Sequence, residues 1–167
     1  MLFRSFLGGE YSIRGFDIRS IGPRDPQTQL VLGGNKSLLF NAEYLISIAS
    51  QVRIVLFYDA GQVRDVGESF AWQEDLVELE RIDPLLTDSL AISSLTPEGF
   101  SSIREKIVGR TSAFKTSTGI ELRFFMPVLN VPFRLIYAFN PQRGNVLNNN
   151  LRPQKATVFR FAVGTTF

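Results

Sequence analysis

Residues 52–62 read Val52-Arg53-Ile54-Val55-Leu56-Phe57-Tyr58-Asp59-Ala60-Gly61-Gln62. Val52, Ile54, Leu56, Tyr58 and Ala60 fall on one side of an extended chain. Arg53, Val55, Phe57, Asp59 and Gly61 fall on the other. This is the period-2 pattern of a strand between two different environments. Eleven residues also match the ~9–11 that a tilted strand needs to cross a bilayer.

Working outward, the same alternation recurs. Ser37 to Ile48 sets Leu38, Phe40, Ala42, Tyr44, Ile46 and Ile48 against Ser37, Leu39, Asn41, Glu43, Leu45 and Ser47. Thr118 to Met126 sets Ile120, Leu122, Phe124 and Met126 against Gly119, Glu121, Arg123 and Phe125. Phe133 to Phe139 sets Phe133, Leu135, Tyr137 and Phe139 against Arg134, Ile136 and Ala138. Thr157 to Phe167 carries Phe159, Phe161, Val163, Thr165 and Phe167 opposite Arg160, Ala162, Gly164 and Thr166. Five strands are expected. One side of each is aromatic and aliphatic; the other mixes charge with glycine.

The connections alternate in length: Gly8–Lys36 long, Ala49–Gln51 short, Val63–Ser117 long, Pro127–Pro132 short, Asn140–Ala156 long. Outer-membrane barrels have short periplasmic turns and longer extracellular loops. That rhythm puts the C-terminus at the periplasmic end. Within Val63–Ser117, Thr96-Pro97-Glu98 has the form of a capped helix start. Short helices are expected over Glu98 to Val108 and Ala71 to Ile82, and the acidic stretch Glu74 to Asp83 reads as a solvated surface helix.

Composition excludes several functions. The 167 residues contain no cysteine and no histidine, which removes thiolate chemistry, the usual general base and the commonest metal ligand. No catalytic residue, metal or cofactor is expected. Eighteen basic against 16 acidic residues give +2, with no basic run to bind nucleic acid. No apolar stretch reaches the 18 residues of a transmembrane helix. Met1 to Glu10 lacks the charged head and apolar middle of a signal peptide, so an export signal and further chain are expected upstream. Gly33-Gly34-Asn35-Lys36-Ser37 lacks the glycine spacing of a phosphate loop. A soluble β-sandwich also alternates; against it weigh the polar side, which mixes Arg53, Glu121, Arg123, Arg134 and Arg160 with Gly61, Gly119 and Gly164, and an apolar side dominated by Phe, Leu, Ile and Tyr.

Three local motifs point further. Gly8-Gly9-Glu10-Tyr11-Ser12-Ile13-Arg14-Gly15-Phe16 resembles the inward-folded loop of the BamA family, with Ile13 where the family has Val. Phe57-Tyr58-Asp59-Ala60-Gly61 is similar to that family's Phe-x-Asp-x-Gly strand. Gly119-Ile120-Glu121-Leu122-Arg123, with Pro132-Phe133-Arg134-Leu135, is similar to its penultimate hairpin. The resemblance covers essentially the whole chain. Ile136 departs from the polar residue that many relatives carry there, and the Val63–Ser117 connection is longer than usual.

The resemblance implies an all-β, antiparallel transmembrane barrel of 16 strands, preceded by periplasmic polypeptide-transport-associated domains. Residues 1–167 would be its C-terminal part. It implies residence in the outer membrane of a Gram-negative-type bacterium and assembly of other outer-membrane proteins. Partners would be membrane lipids, unfolded outer-membrane proteins, accessory lipoproteins and periplasmic chaperones. A two-partner secretion channel, a lipase-fused barrel and, from another class, a soluble β-sandwich binding module are the alternatives.

The resemblance also implies site residues. Ile13, Arg14, Gly15 and Phe16 would form the loop tip inside the lumen. Parity puts Asp59 and Glu43 on the lumen side, where their carboxylates can receive Arg14. Phe57 and Gly61 belong to the strand motif. Phe159, Phe161, Gly164 and the terminal Phe167 resemble an outer-membrane C-terminal signal. That strand would form a weak seam with the first strand of the barrel.

Overall fold

The computed structural model describes residues 4–25, 28–81, 103–126 and 131–163. Seven strands lie in these residues. They are β1 (Lys36–Ala49), β2 (Val52–Arg64), β3 (Gln73–Arg81), β4 (Ile103–Ser112), β5 (Lys115–Met126), β6 (Val131–Gln142) and β7 (Thr157–Val163). β1-β2-β5-β6-β7 make one antiparallel five-stranded sheet in that order, and β3-β4 pair separately. The five expected strands are the five members of the large sheet. Positions 164–167 of the last one lie outside the described residues.

The two helices expected in the long connection are corrected. Residues 73–81 and 103–112 form a β-hairpin, and the described residues contain no helix. Positions 98–102, including the start of the second expected helix, lie outside the described residues. The reason is visible in the register: Asp75 faces Arg110, Glu78 faces Lys106, and Glu80 faces Arg104. In a helix Glu74 and Glu78 would repel each other one turn apart. In the hairpin each of those three acidic residues faces a base from a segment some 25–35 residues away. Ile103, Ile107 and Val108 add β-branched residues that favour a strand.

The sheet has its apolar surface outside. One row runs across all five strands in register, Tyr44–Leu56–Ile120–Tyr137–Phe159. These side chains are 68, 41, 49, 55 and 66% exposed. The adjacent row on the opposite face contains Val55, Glu121 and Ile136, all fully buried. Exposed aliphatics with buried carboxylates are the inverse of a soluble sandwich and suit a sheet between lipid and a polar lumen. Near the short turns, Phe133 stacks between Phe124 and Phe161 at 5.2 and 5.7 Å. Toward the other end, Phe40 and Tyr58 pack edge to face at 6.5 Å.

Residues 4–25 and 28–34 fold over the inward face with little regular structure. Isolated bridges, Ser5–Gly34, Leu7–Ile21 and Arg24–Val31, close the segment on itself. Leu7, Ile13, Phe16 and Ile21 join Val63 of β2 and Val146 of the β6–β7 connection in a buried cluster. The polar inner face therefore carries a small apolar core of its own.

Candidate functional site

The loop tip is shaped by short-range bonds. Gly8 and Gly9 both have φ of 105°, a region open to glycine but strained for other residues. The Gly9 N–H donates to the Phe16 carbonyl, and the Phe16 N–H to that of Ile13. This tight turn sends Ile13 and Phe16 into the apolar cluster, both with no exposed surface. Gly61 makes room for it: a methyl there would collide with Leu7, Ile13 and the Leu38 carbonyl.

Arg14, between those two anchors, turns to the sheet. Its Nε donates to Asp59 Oδ2 at 2.8 Å and its Nη2 to Oδ1 at 2.7 Å. The Arg14 backbone N–H adds a third bond to Asp59 at 3.0 Å. Nη1 reaches Glu43 at 2.7 Å and Glu121 at 2.9 Å. Beneath the guanidinium lies the Phe57 ring, 4.1 Å away at its centroid. A planar fork above an aromatic face is a geometry that lysine cannot reproduce. Asp59 receives a fourth bond from Asn41 Nδ2 at 2.7 Å, which fills the capacity of its two oxygens.

The network extends beyond this pair. Glu121 also accepts from Arg123 Nε at 2.7 Å and from Arg134 through Nε and Nη2. Glu43 also accepts from Arg123. Three arginines thus meet three carboxylates with no net charge. Asp59 and Glu121 have fully buried side chains, whereas Glu43 is 30% exposed. Burial opposes the charge on Arg14, but Asp59, then Glu121 and Glu43, outweigh it and raise its pKa above the ordinary value. The guanidinium stays ionised at any physiological pH.

Gly15 and Asp17 fasten the loop to the other side of the sheet. Gly15 has φ of 87° and rests against Ser117, Ala138 and Asn140, leaving no space for a side chain. Its carbonyl accepts from Asn140 Nδ2 at 3.1 Å and Gln154 Nε2 at 2.8 Å. Asp17 accepts from Arg160 of β7 at 2.6 Å. The loop thereby touches β1, β2, β5, β6 and β7.

Ile13, Arg14, Gly15, Phe16, Glu43, Phe57, Asp59 and Gly61 are thus brought together. Phe159 and Phe161 are not: both lie on the outward face, 66 and 55% exposed. Gly164 and Phe167 lie outside the described residues. The sequence reading placed Glu121, Arg123 and Arg134 on the inward side without pairing them with Arg14, and it missed Asn140 and Gln154. Their parity was the only available signal, because register between distant strands joins them.

A second carboxylate hub sits at the end of the sheet where the long connections lie. Glu74 of β3 accepts from Lys115, from Arg64 at 3.3 Å and from Asn145 at 3.1 Å. Asn145 also donates to the Asp75 carbonyl at 2.7 Å and accepts from the Val77 N–H at 2.9 Å. Its amide thus latches the β6–β7 connection to the backbone of the hairpin.

A family model described as Omp85 superfamily domain matches residues 3–167. A relative named outer membrane protein assembly factor BamA, from Nitratidesulfovibrio vulgaris (strain Hildenborough), is 35% identical over 75 residues. These are 44% of this chain and 10% of that protein, so the chain spans a small part of that relative's length.

Proposed function

Because the chain belongs to the Omp85 superfamily of outer-membrane β-barrel proteins, we propose that it is the C-terminal part of a factor that assembles other β-barrels into the outer membrane. Upstream strands would complete the barrel, and periplasmic domains would precede them. Unfolded outer-membrane proteins would be the substrates, with lipids, accessory lipoproteins and periplasmic chaperones as partners. The work is binding and templating; no bond in the substrate is made or broken.

The observation that carries this reading is the Arg14 clamp. It ties an inward loop to both halves of the sheet and braces the inner wall, while the outer edge of β7 carries no partner strand among the described residues. With upstream strands covering β1, a braced wall suits a seam at the β7 edge, where an incoming strand pairs backbone to backbone. Unpaired peptide groups in hydrocarbon cost several kcal/mol each. A template edge removes part of that cost as each strand enters. The apolar positions Phe159 and Phe161 would hold β7 in lipid while its edge exchanges partners.

The test uses the full-length protein in phospholipid vesicles, with cysteines introduced into β7 and the first barrel strand. Reduced, it should speed the appearance of a heat-resistant folded substrate barrel. Disulfide-locked, it should not, and reduction should restore activity. Undiminished activity in the locked state overturns the seam. Transport of a passenger into the vesicle without any insertion activity marks a secretion channel instead.

A further inference from the structure

The connection from β2 to β3 carries an exposed apolar cluster that the clamp does not use. Val66 is 71% exposed, Phe70 46% and Trp72 82%. The Trp72 ring packs at 5.4 Å against Phe114, just before β5. Trp72 is the single tryptophan in the sequence. Sequence alone assigns this segment to a water-facing loop.

Its placement argues otherwise. Phe114 lies in the bend directly before β5, whose outward series includes Ile120, Leu122 and Phe124. Gln62, on the outward side of β2 with Tyr58 and Ala60, grips Ala71 through both the backbone N–H and the carbonyl, each at 3.3 Å. The Trp72 carbonyl accepts from the Ala113 N–H at 3.0 Å. Trp72 therefore stands at the level of Gln62, next to the residue that Gln62 holds. From Val52 to Gln62 the strand makes ten steps of about 3.3 Å, which at a tilt of about 40° rise about 25 Å. That is the height of the apolar band of an outer-membrane barrel, about 25 Å. The stacked Phe124–Phe133–Phe161 group marks its lower border, and Trp72 falls at the upper one.

We propose that Trp72 and Phe114, with Phe70, form an anchor seated in the headgroup layer of the outer leaflet, so that the start of the extracellular hairpin rides on lipid. An indole presents an apolar body to acyl chains and an N–H to headgroup oxygens, which is why tryptophan concentrates at this depth. The occupant is lipid because Gln62, which holds this segment, belongs by register to the same side of β2 as the exposed Leu56 and Tyr58. Glu74, Lys115 and Asn145 then join that anchored start to the loop after β6. The inference rests on the outer-membrane reading above.

The test is tryptophan emission from the full-length protein in phosphatidylcholine vesicles whose acyl chains carry bromine near the headgroup or near the chain end. The difference between native protein and Trp72→Phe isolates Trp72. We expect blue-shifted emission, strong loss with the shallow bromines, weaker loss with the deep ones, and little quenching by aqueous iodide. Quenching by iodide alone, or by neither agent, overturns the anchor. A fluorophore on Leu56→Cys, in the outward row, separates the two readings. Lipid contact at Leu56 without contact at Trp72 sinks only the anchor. No contact at either position sinks the outward-face assignment with it.

Discussion

Removing the Arg14 guanidinium leaves the fully buried Asp59 carboxylate without a charged partner, held only by Asn41 and the backbone N–H of residue 14, while Glu121 keeps Arg123 and Arg134. Breaking a buried pair costs about 3–5 kcal/mol, because a charge is left in a poorly solvated place. We expect Arg14→Ala in the full-length protein to lower the temperature at which its heat-resistant form is lost, by the equivalent of that energy. Arg14→Lys should recover little, since an ammonium cannot fork onto Asp59 while stacking on Phe57. Glu43→Gln is the contrast. Its carboxylate is 30% exposed, and screening should hold the loss to about 1 kcal/mol or less. Equal losses for Arg14→Ala and Glu43→Gln would show that the lumen is wet and the clamp weak. The Arg14–Asp59 contact was accessible from sequence only through a motif resemblance plus strand parity. Nothing local marks Arg14 against the other arginines, and Glu121, 107 residues away, meets it only through the sheet.

Alternation made the strands of the large sheet legible, because each separates an apolar environment from a polar one and the side-chain period is two. It did not reveal β3 and β4. Their sequences put four acids in one segment and three bases in another, a pattern that looks helical until the two face each other. The hairpin is held at its base by Glu74 and Asn145. We expect Asn145→Ala, which removes two bonds to the β3 backbone at net values of about 0.5–1.5 kcal/mol each, to speed amide exchange in β3 and β4 about tenfold. β5 and β6 should keep their protection. Unchanged exchange in β3 would mean that the strand pairing alone fixes the hairpin, without the latch. Faster exchange spreading through β5 would mean that the hairpin and the large sheet open as one unit.

Among the described residues the large sheet has two edges, β1 and β7, and open edges seek partners. The 167-residue chain alone in detergent is therefore expected to associate through these edges rather than give a heat-resistant monomer. A monomer with protected β1 and β7 outer amides would contradict this. At this scale the division between sequence and structure has a physical basis. The sequence by itself determined which segments make the large sheet and which side of each is apolar. Those properties follow from side-chain alternation within a dozen residues, and they do not depend on what the segment pairs with. Only the tertiary structure decided which charges neutralise one another, that residues 73–81 pair with 103–112, and that Trp72 stands level with Gln62. Those facts depend on register, and register is set between segments far apart in the chain, where a one-residue slip would exchange the lumen face for the lipid face.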